Sequence, residues 1–207
     1  MENNMSDYWE KIYETKPEDE FSWFQPYPQT SINFVNLFKL PLSAKIIDIG
    51  GGDSHLVDAL LKLGYSNITV LDISAKAIGR AKLRLGEKAN TINWIVSDVT
   101  EFKTDVQFDF WHDRAAFHFL TNREAISKYL KIASQSIQPS GHLILGTFSE
   151  NGPTKCSGLE IQRYSEASMS SLFDHDFKRI KCVEEDHQTP FNTTQSFLFC
   201  SFERRYT

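Results

Sequence analysis

The sequence predicts an α/β fold: a doubly wound, mostly parallel sheet of seven strands with an antiparallel C-terminal edge hairpin. Three observations predict it. Short apolar, β-branched runs alternate with amphipathic helical runs from Lys45 onward, which implies parallel strands with helices on both faces. Two strand-like runs close the chain with no helical pattern between them, which implies a hairpin. The length, 207 residues, suits one such domain.

The elements follow in order. Lys45–Ile49 (KIIDI) runs into Gly50-Gly51-Gly52 and reads as a buried strand. Leu56, Leu60, Leu61 and Leu63 mark a helix that Gly64 stops. Residues 67–71 (NITVL) form a second strand, and Ser74 caps a helix that ends at Gly86. Residues 91–96 and 108–111 are the third and fourth strands. Asn122 caps a long helix that Pro139-Ser140-Gly141 ends, and residues 142–148 are the fifth strand. Residues 151–163 read as loop and residues 165–173 as a short helix. Residues 177–184 and 196–202 form the hairpin, with Glu184-Glu185-Asp186 at its solvated end.

Composition narrows the function classes. Hydrophobic residues make up 41% and charged residues 24%, which excludes a disordered chain or a fibre. The net charge of -5 argues against a nucleic-acid partner. Cys156, Cys182 and Cys200 have no metal-ligand spacing, so no metal site is expected, and a reducing compartment fits them. Cys156 is expected as an exposed thiol. MENNMSDYWE has no apolar leader run, and no stretch approaches the ~20 apolar residues of a membrane span. The expected location is cytoplasmic, with no membrane partner.

In a doubly wound sheet, ligands bind outside the carboxyl ends of the strands. The first such end reads Asp48-Ile49-Gly50-Gly51-Gly52-Asp53-Ser54. Glycines there permit a tight turn and close approach of a ligand, with Gly50 and Gly52 as the candidate contacts. A pyrophosphate would meet two carboxylates, Asp48 and Asp53, whereas a ligand with an ammonium and a sulfonium would be attracted. His55 also stands where a dinucleotide pattern needs its third glycine. The second strand ends in Asp72-Ile73, 22 positions after Gly50, the spacing of an acid that accepts from ribose hydroxyls. The third ends in Asp98-Val99, an acid for an exocyclic amine and an apolar cover for a base. Three acids at three successive strand ends point to S-adenosyl-L-methionine.

With the motifs IIDIGGGDS, VLDIS and SDV, the chain from about Lys45 to its end resembles the class I, seven-strand S-adenosylmethionine-dependent methyltransferases, a Rossmann-like family. Ser54 stands where many members have a third glycine. The stretch FDFWHDRAAFHFL is similar to one in a bacterial branch. YWEKIY and FSWF resemble a feature of thiol methyltransferase-like members and of elongation-factor lysine methyltransferases. That resemblance implies that Trp9, Tyr13 and Trp23 contact the cofactor, and that Arg114 is the long basic residue near it. Residues 1–207 would then be one domain, with 1–40 an aromatic lid and helices and 41–207 the core.

The implied activity is in-line transfer of a methyl group to a small-molecule acceptor: a thiol, selenol or amine. Such a transfer needs alignment and exclusion of water more than a catalytic triad. His118 is the candidate for a polar contact to the acceptor, one helical turn beyond Arg114 if a helix begins there. Asp113 with Arg114 reads as a local ion pair. The alternatives are a protein lysine methyltransferase, a nicotinamide oxidoreductase and a non-catalytic S-adenosylmethionine-binding module. HDRA stands in place of the motif that grips a flipped base.

Overall fold

The computed structural model describes residues 5–206; the first four residues of the expected 1–40 segment and Thr207 lie outside the described residues. Helices α1 (Met5–Thr15) and α2 (Gln29–Phe38) precede the sheet. Strands β1 (Lys45–Ile49), β2 (Asn67–Asp72), β3 (Asn93–Val96), β4 (Phe108–Arg114) and β5 (Ile137–Phe148) follow, interleaved with helices α3 (Leu56–Lys62), α4 (Ala75–Leu85) and α5 (Arg123–Ser136). A short hairpin, β6 (Lys155–Cys156) and β7 (Leu159–Glu160), leads to α6 (Glu166–Phe173) and the long pair β8 (Phe177–Gln188) and β9 (Thr194–Arg204).

The seven-stranded sheet has the order β3-β2-β1-β4-β5-β9-β8. Pairings from β3 to β5 are parallel, and β9 is antiparallel to both neighbours. The strand order reverses between β1 and β4, so a crevice opens outside their carboxyl ends. Apolar clusters cover both faces. Ile46, Val70, Phe110 and Ile144 face α2 and α3. Ile47, Leu71, Trp111, Leu143 and Leu145 face α5 and α6. This alternation is the period of 2 expected of strands buried on both sides. Trp111 is fully buried and donates from Nε1 to Tyr129 Oη at 3.0 Å, which satisfies the indole N–H in the core.

Local chemistry explains the boundaries. Ser74 accepts from the Ala77 N–H, and Asn122 from Ala125 N–H. Ser165 and Ser168 form a reciprocal capping box for α6. Gly64 and Gly86 take positive φ where α3 and α4 end.

Several expectations are corrected. Residues 86–91 form a 3₁₀ helix, so β3 begins at Asn93 rather than residue 91. Residues 137–141 belong to β5, with the register irregularity facing Phe108 and Phe110. β4 runs on through Arg114 and no α-helix starts there; Phe117–Phe119 is a single 3₁₀ turn. The segment 151–163 holds the β6–β7 hairpin, whose turn residues Ser157 and Gly158 both have positive φ. Glu185 lies within β8, half-buried, with Glu184 and Asp186 exposed on the other face. Cys182 and Cys200, cross-strand partners on β8 and β9, form a disulfide, contrary to the reducing compartment the sequence suggests. Cys156 is buried, not exposed. Among the described residues no helix is long and apolar enough to cross a membrane.

Candidate functional site

The turn after β1 sits at the switch point. Gly50 has φ +64°, and a Cβ there would lie 2.7 Å from the Ala116 Cβ, so only glycine fits both the backbone and the space. Gly52 serves another end. Its N–H donates to Asp72 Oδ2 at 2.9 Å, and a Cβ there would strike Ala77 and Asp72. It packs helix α4 against the turn and lines neither of the two cavities described next.

A cavity of about 440 Å³ opens beside Gly50. Its floor is Asp72, Ile73, Asp98 and Val99, its side Ala115 and Ala116, and its roof Trp9, Tyr13 and Trp23. Arg114 and Cys156 also face it. Cofactor-site candidates from four separate strand ends and the N-terminal segment thus converge on one space. A narrower chamber of about 50 Å³ adjoins it, with Asp48, Gly50, Ser31, His112 and Arg114 in its wall.

Each acid is set differently. Asp72 accepts from Gly52 N–H through Oδ2 and from Ser74 N–H at 2.8 Å through Oδ1. It therefore both braces the α4 start and faces the cavity. Burial pushes its carboxyl up to about 6, against the pull of those two hydrogen bonds. Asp98 uses Oδ1 for Thr100 N–H and Oγ1, at 2.7 and 2.8 Å, which caps a short 3₁₀ turn. Asp48 is nearly fully buried; Oδ1 bonds to His112, and Oδ2 is buried without a partner among the described residues.

Asp53 changes the electrostatic reading of the turn. Arg84 Nη1 lies 2.8 Å from Asp53 Oδ1 and Arg80 Nε lies 3.0 Å from Oδ2. Two guanidinium groups neutralise that carboxylate, so the negative character of the turn comes from Asp48. The arginines stand four apart on α4, one helical face. That spacing is visible in the sequence, but the acid they meet is not.

The roof is aromatic throughout. The Trp9 ring lies 6.0 Å from Trp23 and 5.1 Å from Phe119, and Phe21 stacks on Trp23 at 4.6 Å. Helix α1 is anchored by Glu10, whose carboxylate accepts from Ala75 and Lys76 N–H at 2.6 and 3.2 Å. A negative side chain at the N-terminus of α4 is favoured by the helix dipole. Tyr8 Oη donates to the Ser157 carbonyl, which joins α1 to the β6–β7 turn. Glu10 and Tyr8 carry no sequence signal that marks them for this.

Arg114 lies between the two spaces. Nη1 donates to the Trp23 carbonyl at 2.9 Å, and the guanidinium sits 4.8 Å from the Phe197 ring. Nε and Nη2 are buried without partners. Burial lowers its pKa to about 10, which leaves it charged at neutral pH. Asp113 does not pair with it, because neighbours on a strand point to opposite faces. Asp113 accepts instead from Ala116 N–H, Phe117 N–H and Tyr129 Oη, all at 2.9–3.0 Å.

His118 is not brought to either cavity wall. It is fully buried, receives Phe148 N–H at Nδ1, and burial pushes its pKa down to about 3. The ring stays neutral at physiological pH. The Cys156 thiol is pushed up to about 12 by burial, so it is no thiolate.

Known proteins resemble this chain in sequence and in fold. Residues 46–141 match the family model described as a methyltransferase domain. Nodulation protein S of Rhizobium fredii is 34% identical over 80 residues, 39% of this chain and 45% of that protein. Human EEF1A lysine methyltransferase 2 is 27% identical over 158 residues, 67% of this chain and 65% of that protein. The chain spans less than half the length of the curated relatives it matches first. The crystal structure of the N-methyltransferase NodS from Bradyrhizobium japonicum WM9, in complex with S-adenosyl-L-homocysteine, superposes with a TM-score of 0.71 at 18% identity. That match covers 95% of this chain and 98% of that one. Over residues 46–141 the chain is similar to a methyltransferase domain, and its strand order is shared with the solved N-methyltransferase structure.

Proposed function

We propose that the protein, as one domain over residues 1–207 with 1–40 as its lid, is a methyltransferase that uses S-adenosyl-L-methionine to methylate a small-molecule amine, thiol or selenol. The observation that carries this reading is the single cavity onto which Asp72, Asp98, Arg114, Trp9, Tyr13 and Trp23 converge. The residues present fit the cofactor. Asp72 would accept from the ribose hydroxyls and Asp98 from the adenine amine, with Val99 against the base. Asp48 Oδ2 and Arg114 Nε and Nη2 are a buried acceptor and two buried donors without partners, a match for an α-ammonium and an α-carboxylate.

When bound, S-adenosylmethionine supplies a methyl group activated by its sulfonium. The chain's residues hold, align and shield. Trp9, Tyr13 and Trp23 present ring faces that attract a sulfonium and keep water out. His118 lies away from the cavity and the Cys156 thiol stays protonated, so the chain would bind, orient and shield the acceptor rather than react with it.

Two relatives favour a nitrogen acceptor. Nodulation protein S shares the core, and its structural counterpart is an N-methyltransferase. The matched stretch of EEF1A lysine methyltransferase 2 supports a second reading, a protein lysine as acceptor. The test is calorimetric titration with S-adenosylmethionine and NAD, beside Asp72→Ala, followed by an acceptor screen read as S-adenosylhomocysteine release. Micromolar binding that the variant loses, with turnover on a small amine or thiol, is the expected result. Turnover only with a folded protein substrate moves the second reading forward. Binding without turnover on any acceptor makes the chain a sensor module, and NAD binding in its place overturns the proposal.

A further inference from the structure

Asp48 is held by a relay drawn from three elements. Its Oδ1 lies 2.7 Å from His112 Nδ1, and His112 Nε2 lies 2.8 Å from Ser31 Oγ. Asp48 and His112 are register partners on β1 and β4, whereas Ser31 comes from the first turn of α2. All three residues are at most 2% exposed. With Nδ1–H donating to the Asp48 carboxylate, Nε2 accepts from the Ser31 hydroxyl. In so dry a place each of these bonds is costly to break.

The relay leaves Asp48 one orientation. A Cβ at Gly51 would lie 2.4 Å from Asp48 Oδ2, so the turn packs tightly over the carboxylate. Oδ2 is left without a partner, and Ser31, Asp48, His112 and Arg114 all line the narrow chamber. A buried carboxylate oxygen with no donor is expensive unless a ligand supplies one.

We propose that Ser31 and His112 are positioning residues which, acting through Asp48, aim Oδ2 at the α-ammonium of the cofactor's amino-acid end. This rests on the cofactor reading above. It assigns α2 a part in cofactor binding that its sequence does not announce: a single serine hydroxyl on the lid side fixes an acid on the sheet. The alternative is that the relay only ties α2 to the sheet and leaves ligand affinity alone.

Two ligands separate these. S-adenosylhomocysteine carries the amino-acid end; 5′-methylthioadenosine shares the adenosine and the thioether but lacks that end. Calorimetric affinities are measured for both on the native protein, Ser31→Ala, Ser31→Thr and His112→Phe. We expect Ser31→Ala to weaken S-adenosylhomocysteine about tenfold, the upper end of the net worth of one buried hydrogen bond. Its affinity for 5′-methylthioadenosine should not change, and Ser31→Thr should restore most of the loss. His112→Phe should show the same selective loss more strongly. If it does not fold, Ser31→Ala still decides. Unchanged S-adenosylhomocysteine affinity in Ser31→Ala overturns the inference, and so does an equal loss of both ligands. If the native protein binds neither ligand, the cofactor reading itself fails, and that result is distinct from the other two.

Discussion

Arg84 reaches from the last turn of α4 to the turn after β1, where it bonds Asp53 twice: Nη1 lies 2.8 Å from the carboxylate and 3.3 Å from the carbonyl of that residue. Nη2 also reaches the Ser54 carbonyl at 2.8 Å and Asp58 at 2.9 Å. One guanidinium thus fastens the glycine turn to the helix that begins just after Asp72. The turn's shape depends on this clamp as much as on its glycines.

Loss of the clamp should be felt in stability and binding together. Arg84 is about one-fifth exposed and Asp53 almost fully buried. We expect Arg84→Ala to cost roughly 1–3 kcal/mol, because it leaves Asp53 with Arg80 alone in a partly dry site. Urea denaturation measures this. Weaker S-adenosylhomocysteine binding should accompany it, and a variant as stable as the native protein would show that Arg80 suffices.

Cofactor affinity should depend on pH through Asp72. Burial raises its carboxyl from 3.8 to about 6, so the folded protein takes up this proton before the unfolded chain does. Its contribution to stability therefore grows as pH falls through 6 toward 3.8, while its capacity to accept from two hydroxyls falls. S-adenosylhomocysteine titrated at pH 7.5 and pH 5 should bind several-fold more weakly at the lower value. Asp72→Asn should be weak at both. A flat profile in the native protein would remove Asp72 from ribose recognition.

The aromatic roof should control ligand residence. Helix α1 has no fully buried residue, so it docks through half-buried contacts and belongs to the less stable part of the fold. Trp9→Ala removes its contacts with Tyr13, Trp23 and Phe119. A dissociation rate about tenfold faster is expected, with the thermal midpoint little changed. Stopped-flow tryptophan fluorescence would record it. A large fall in the midpoint would mean instead that α1 is part of the core.

Thiol counting should report the β8–β9 bridge. The Cys182–Cys200 disulfide closes a loop of 18 residues, worth about 3 kcal/mol in the chain-entropy account. The native protein should show no fast-reacting thiol, since Cys156 is buried. Unfolding should expose one, and reduction under denaturant three. Three thiols without reductant would mean that the bridge does not form in solution.

The architecture was legible in sequence because its signals are local. Ser74, Gly86 and Asn122 end or begin helices by bonds to their own neighbours. Asp48, Asp72 and Asp98 stand out because strand-to-helix turns place chemistry at fixed offsets from a glycine run. Extra strand length was not legible. Residues 112–114 and 185–188 are polar, and pairing with β1, β5 and β9 holds them extended.

The sequence by itself determined the doubly wound core, the order of its elements and the three acids at successive strand ends. Periodicity, caps and turn residues carry that information within a few positions. Tertiary structure decided what each charge meets: Asp53 with Arg80 and Arg84, Asp113 with Tyr129, Asp48 with His112 and Ser31. It also withdrew His118 into the core and brought Cys182 against Cys200. Those partners are 16 to 81 positions apart in sequence. Only strand register and helix docking bring them within hydrogen-bond reach, where burial turns a side chain's ordinary charge into a specific role.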